Sequence, residues 1–198
     1  PAPSPAMTSA EAIALLERFR AGKVPPRAVL RAFQAAPLAE LGFARVDTHR
    51  GLRKGFPEVI FGAGKTPVQV VAIARQIWHA EGRVLVTRVQ PEHARALRRA
   101  FRQSVHHQTA RCVTIERTPL PKRPGVIAVL CAGTSDLPVA EEAAVTAGIM
   151  GNRVDRLYDV GVSGLHRLLG NLTVVQKAAV IIAVAGMEGA LPSVVSGL

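Results

Sequence analysis

Apolar and polar positions recur along this chain at two spacings, near 3.6 and near 2 residues, and the switches between them mark out short elements. Thr8-Ser9-Ala10-Glu11 reads as a capping box. The helix behind it sets Ile13, Leu16 and Phe19 on one side, and Gly22 closes it. A second helical pattern runs over 26–35 with Pro26 in its first turn, and 37–41 breaks it. Residues 43–50 alternate as a half-buried strand. Residues 58–61 form a short apolar strand, 62–66 a Gly-rich turn, and 67–80 a helix. A strand at 84–86, a helix at 91–101 and a strand at 110–115 follow. The Pro-rich basic segment 119–125 then reads as a linker.

Beyond the linker the pattern becomes regular. The apolar run 126–132 is followed by a small-residue polar turn, 133–136, and a helix over 138–150. Residues 154–160 give a second strand, and 161–167 a turn entering a helix. Residues 178–185 give a third strand, 186–190 its turn, and a third helix begins at Leu191. Strand followed by helix three times over predicts a parallel sheet with right-handed crossovers. All three turns then open at one edge of the sheet, where α/β folds bind their ligands. Ser135, Asp136, Ser163, His166, Arg167 and Glu188 are expected to converge there. Each also has a plainer role: Ser135 and Asp136 as helix caps, His166 as a helix-face residue, Glu188 as an acceptor for backbone amides.

The expected fold class is therefore α/β, a flavodoxin-like parallel three-layer sandwich preceded by a smaller α/β or α+β domain. The expected boundaries are a disordered leader at 1–7, a basic domain at 8–118, the linker at 119–125 and the sandwich at 126–198. The leader is Pro/Ala-rich, without the basic and apolar regions of a signal peptide.

Composition changes this picture in three ways. Hydrophobic residues make up 48% of the chain, which speaks for a folded chain, while aromatics are only 4%, so the core packs small aliphatic side chains. The net charge of +11 is uneven: residues 1–124 hold 21 Lys+Arg against 8 Asp+Glu, and residues 125–198 hold 4 against 6. The basic half is either a solvated surface or a site for an anion, nucleic acid or a phosphate-bearing small molecule. The scarcity of aromatics speaks against base stacking, so nucleic acid is the weaker partner. Cys112 and Cys131 lack zinc-type spacing and fit a reducing cytoplasm; no resident metal is expected, and no apolar run reaches the length of a membrane span.

Gly62-Ala63-Gly64-Lys65-Thr66 is not a P-loop, because the first glycine of that motif would stand at Val59. A turn with Gly, Lys and Thr between strand and helix can still cradle an anion. Arg50, Arg53 and Lys65 are the favoured phosphate contacts of the basic half.

Three segments of the second half carry a family resemblance: 131–142 (CAGTSDLPVAEE), 158–167 (YDVGVSGLHR) and 185–191 (AGMEGAL). With 55–67 (GFPEVIFGAGKTP), they resemble the LarB family, pyridinium-biscarboxylic acid mononucleotide synthases of nickel-pincer cofactor biosynthesis. The second half is more distantly similar to PurE-type aminoimidazole ribonucleotide carboxylases and mutases. The resemblance implies an enzyme that adds carbon dioxide or bicarbonate to the pyridinium ring of nicotinic acid adenine dinucleotide. It also hydrolyses the phosphoanhydride and releases AMP. A pyridinium ring is too electron-poor to attack carbon dioxide, so a cysteine thiolate first adds to it.

The resemblance further implies site residues. Asp136, His166 and Glu188 are the catalytic candidates, with His166 as proton carrier. Gly133, Thr134, Ser135, Asp159, Gly161, Ser163, Arg167, Gly186, Met187 and Gly189 are the candidates for holding substrate, with Arg167 clamping a carboxylate or phosphate. No tightly bound cofactor is implied, a magnesium ion is compatible, and the PurE likeness implies a homo-oligomer, an octamer in that group. LarB chains run on past the position of Leu198 and carry the nucleophilic cysteine there, so the chain is expected to be truncated and Cys131 is not expected to take that role. A PurE-type activity on aminoimidazole ribonucleotide and a non-enzymatic nucleic-acid-binding role are the alternatives.

Overall fold

A computed structural model describes residues 9–34, 38–48 and 50–198. The chain divides into two compact units. One runs to Val105 and takes in Val113–Thr118; the other comprises His106–Cys112 and Pro119–Leu198. The tip 106–112, read from sequence as part of the basic domain, therefore groups with the second unit.

In the first unit, α1 (Ser9–Arg20) and α2 (Pro26–Gln34) precede a small hairpin of β1 (Leu38–Glu40) and β2 (Arg45–Asp47), paired Ala39 to Val46. The sequence suggested a break at 37–41 and one strand over 43–50. Instead the break holds the first hairpin arm, and Arg50–Lys54 is a short helix, α3. Arg50-Gly51-Leu52-Arg53-Lys54 has no alternation to sustain a strand, and its basic residues are good helix formers.

A βαβ unit follows: β3 (Ile60–Phe61), α4 (Pro67–Glu81) and β4 (Arg83–Thr87), with Ile60 beside Val86 in parallel register. Thr66 and Gln69 form the capping box of α4, Pro67 fills its first turn, and Gly82 ends it with φ +64°. Next come α5 (Pro91–Ala100), β5 (Val105–His107) and β6 (Cys112–Glu116), which gives the strand order β3-β4-β6-β5. β6 runs antiparallel to β4. β5 has no counterpart in the sequence reading, since Val-His-His offers no apolar repeat. Val70, Ile73, Ala74 and Ile77 of α4 share a buried core with Val84, Val86, Val113, Ile115 and Leu97. Trp78 meets Phe101 edge-on at 6.0 Å, and Arg117 lies 5.2 Å over the Trp78 ring.

Glu81 ends α4 with its carboxylate part-buried. Burial raises its pKa, opposed by a hydrogen bond from the Gly51 backbone and by Arg83, and reinforced by Glu11 and Asp47. A carboxyl whose pKa is higher folded than unfolded holds the proton more tightly when folded. Its contribution is therefore complete below the unfolded pKa and is lost as pH rises through the folded value. Glu81→Gln removes that titration. Its stability relative to the parent is expected to rise between acidic and neutral pH, as read by urea midpoints across that range.

In the second unit, β7 (Val126–Cys131), β8 (Arg153–Leu157) and β9 (Val180–Val184) form a fully parallel sheet in the order β8-β7-β9. β7 is central, with Ala128, Val129, Leu130 and Cys131 at 0% exposure. On one face lies α6 (Leu137–Ile149), whose Ala140 and Ala144 pack with Val129 and Cys131. On the other, Ala128 and Leu130 pack with Leu168 of α7 (Leu165–Leu169), Val175 of α8 (Leu172–Lys177), and Leu191 and Val195 of α9 (Ala190–Ser196). This is the expected α/β three-layer arrangement. Where the sequence suggested one helix after β8, the structure has two short ones, because Gly170-Asn171 interrupts the helical path. β8 also stops at Leu157, short of the expected 160, where Asp159 turns the chain with φ +58°.

Candidate active site

The second sheet has the order second–first–third. The first crossover, through α6, covers one face, and the second, through α7 and α8, covers the other. The strand order therefore reverses beside β7, and the carboxyl ends of β7 and β9 open a crevice there. A cavity of about 350 Å3 occupies it. The turn after β7 contributes Ala132, Gly133, Ser135 and Asp136. The turn after β8 contributes Gly161, Val162 and Ser163. The turn after β9 contributes Ala185 to Glu188, with Ala190 and Leu191 from the start of α9.

Asp136 is the best-held polar group of this cavity. Thr134-Ser135-Asp136 makes one 3-10 turn before α6, closed by the Asp136 N–H donating to the Gly133 carbonyl at 3.1 Å. The Gly133 N–H donates back to Asp136 Oδ2 at 3.1 Å. The carboxylate thus faces backward into the turn and makes no capping bond to α6, in place of the plainer capping role. Its Oδ1 lies against Gly186, where a Cβ would stand only 3.3 Å away. Glycine at 186 lets the third turn approach the carboxylate of the first.

Gly161 performs a similar service between the first and second turns. Its N–H donates to the Ala132 carbonyl at 2.9 Å, and a Cβ there would meet that same oxygen at 2.8 Å. Ser135, Ser163, Met187 and Glu188 are exposed around the opening, and Asp136 is half-buried.

Of the six residues expected to meet at this edge, Ser135, Asp136, Ser163 and Glu188 line the cavity, and His166 and Arg167 do not. The 3-10 turn Val162–Gly164 places them one step further along, on α7. His166 is exposed. Arg167 is ion-paired with Asp159, and its guanidinium folds over Gly164, where a Cβ would stand 2.6 Å from Nε. Arg167 Nε is buried without a hydrogen-bond partner, a donor left for an acceptor. Thr134, Asp159 and Gly189 belong to the three turns without lining the cavity.

Residues 38–117 match the family model described as LarB/PurE-like N-terminal domain. Residues 38–117 thus carry a LarB/PurE-like N-terminal domain. An uncharacterised protein of Methanocaldococcus jannaschii, MJ0165, is 33% identical over 162 residues, 78% of this chain. The chain spans 63% of that relative's length.

The basic candidates lie in the first unit. Lys65 donates through Nζ to the Phe61 carbonyl at 3.0 Å and lines a smaller cavity of about 170 Å3 with Glu58, Val59, Ile60, Phe61 and Ile73. The Lys65 carbonyl faces Nε2 of buried His93 at 2.7 Å, while Nδ1 of the same ring accepts from the Gln90 N–H. One imidazole thereby ties the Gly62–Thr66 turn to the start of α5. Arg50 is exposed at the start of α3; the Arg53 side chain lies outside the described residues.

Among the described residues, no three His, Cys, Asp or Glu side chains group to hold a metal ion. No helix among them is long and apolar enough to cross a membrane. Sequence reasoning missed the apolar floor of the cavity: Ala132, Ala185, Ala190 and Leu191. Its signal was available, since these residues flank the glycines of the turns.

Both cysteines are buried. Cys131 Sγ donates to the Gly133 carbonyl at 2.9 Å, and burial raises the thiol pKa, against backbone hydrogen bonding. Such a thiol is a poor nucleophile. Cys131→Ala is expected to retain turnover within about threefold while losing about 1 kcal/mol of stability, as read by steady-state assay and urea unfolding.

Proposed function

We propose that this chain supplies the nucleotide pocket of a LarB-type carboxylase. The substrate is nicotinic acid adenine dinucleotide; its pyridinium ring gains a carboxyl group from carbon dioxide or bicarbonate, and its phosphoanhydride is hydrolysed to release AMP. The observation that carries this reading is the meeting of three glycine-bearing turns at the switch point of the parallel sheet. They give a crevice with an apolar floor and a carboxylate fixed in orientation. Its volume falls in the range of small-molecule sites.

The roles follow from position. The apolar floor accepts the ring, and the hydroxyls of Ser135 and Ser163, exposed at the cavity, bond the ribose. Asp136 accepts a hydrogen bond from a ribose hydroxyl or from the O–H of bicarbonate. After a cysteine thiolate has added to the ring and the resulting enamine carbon has bonded to carbon dioxide, Glu188, the second carboxylate of the crevice, takes the ring proton as the thiolate leaves. His166 relays that proton to solvent. Arg167, oriented by Asp159, offers its remaining N–H groups to a phosphate or carboxylate. Arg50, Arg53 and Lys65 are the basic unit's own candidate contacts for phosphates such as the dinucleotide carries. A magnesium ion would arrive on those phosphates, with few protein ligands of its own. The product feeds nickel-pincer cofactor assembly, and the working form is a cytoplasmic homo-oligomer, an octamer by likeness to PurE.

The test is incubation of the full-length protein with nicotinic acid adenine dinucleotide and isotope-labelled bicarbonate, followed by mass spectrometry. Label in the pyridine product together with free AMP is expected. Label appearing only when aminoimidazole ribonucleotide is the substrate overturns the reading in favour of PurE-type chemistry.

A further inference from the structure

Met187 carries two unfavourable features at once. Its backbone has φ +50°, a region that side chains other than glycine's adopt at a cost, although Gly186 and Gly189 stand close by in the same turn. Its side chain is also 102% exposed, so a large apolar group touches nothing and stays in water. Asp159, another non-glycine residue with positive φ in this unit, is compensated by its ion pair with Arg167. Met187 has no such compensation, yet it lines the cavity at the switch point.

Strain and exposure at a cavity mouth are relieved when something fills the cavity. A thioether on three rotatable bonds adapts to the face of a flat ring and interacts favourably with it. The neighbouring Glu188 carboxylate, also exposed, favours a ring bearing positive charge. The apolar groups of Ala132, Ala185 and Leu191 line the same cavity.

We propose that Met187 is the cover of the ring subsite and a determinant of its specificity for a flat cationic heteroaromatic ring. The strained turn holds the side chain outside the empty cavity, and ring entry draws it over the ring face. This rests on the pyridine-nucleotide reading above and adds the group that selects the ring.

The experiment compares the full-length parent protein with Met187→Gly and Met187→Leu by calorimetry. The probes are nicotinic acid mononucleotide and ribose 5-phosphate, which lacks the ring. Thermal melts of the unliganded proteins serve as the folding control. Met187→Gly is expected to melt at or above the parent temperature, because glycine adopts φ +50° freely. It should bind the mononucleotide about tenfold more weakly, with ribose 5-phosphate affinity unchanged, and Met187→Leu should stay within about threefold of the parent. Equal mononucleotide affinity in the parent and Met187→Gly overturns the cover while leaving the site reading intact. An equal loss for both probes also overturns it, since the residue would then only shape the turn. A parent protein that binds neither probe overturns the pyridine-nucleotide reading and the cover with it.

Discussion

Under the proposed function, replacing Asp136 by Asn is expected to leave the fold intact and to lower turnover of nicotinic acid adenine dinucleotide by about 100-fold. The amide keeps an oxygen for the Gly133 N–H, so the 3-10 turn entering α6 persists. What disappears is the negative charge that the turn presents to the cavity. The carboxylate is held on one side by that N–H and approached on the other by Gly186, so it is already oriented before substrate arrives. Preorganised charge of this kind acts at the reacting centre without reorganisation, which is why its loss falls on the rate. Were Asp136 merely a turn-former, the Asn variant would keep turnover within about threefold. The measurement is therefore kcat for Asp136→Asn beside its urea midpoint. A parallel fall in both would remove Asp136 from the chemistry.

Gly161→Ala is expected to cost about 2–3 kcal/mol of stability and most of the activity together. The backbone angle at 161 is φ −60°, which alanine adopts without strain, so the effect is crowding alone. The new Cβ would stand 2.8 Å from the Ala132 carbonyl oxygen and 3.4 Å from its carbon. Both belong to the backbone at the end of the central strand, and neither can swing aside as a side chain would. Relief requires the turns after β7 and β8 to part, which opens the hydrogen bond between them and widens the cavity. Gly189→Ala is the useful contrast. There the φ is +66° but the space is open, so only the conformational cost of about 1 kcal/mol is expected. Urea midpoints for the pair separate crowding from strain.

The long, regular elements of the second unit were legible because their sequence repeats one physical instruction. Each apolar run is ended by glycine and followed by a helix former, so β7, α6, β9 and the edge at which their turns gather could be read directly. The interruption between α7 and α8 was less visible, since Leu168 and Val175 continue an apolar pattern across Gly170-Asn171. The first unit's small hairpin was hidden for another reason. Three-residue strands such as Leu38–Glu40 and Val105–His107 carry too few positions to establish a period, and their partners, more than their own residues, make them strands.

At the site, residue types pointed to Ser135, Asp136, Ser163 and Glu188, which the turns do bring to one cavity. Types could not show that Arg167 would be turned toward Asp159, because that depends on the 3-10 turn at Val162–Gly164 and on the bare backbone of Gly164. The state of Cys131 was also invisible in the sequence. A cysteine beside a polar turn looks reactive until its burial and its bond to the Gly133 carbonyl are known.

The central place of β7 has a consequence for how the protein is made. β7 is the first strand of its sheet to leave the ribosome, but Val126 pairs with Arg153 and Ile127 with Val180. Throughout synthesis of the intervening chain, Val126-Ile127-Ala128-Val129-Leu130-Cys131 has neither neighbour. It is a β-branched, uncharged segment with every backbone group unpaired, the composition from which intermolecular strands assemble. Parallel pairing over such separations is slow, because the loop must close before any contact forms. The strand that is most completely protected in the finished molecule is thus the one most in need of protection while the chain is being born.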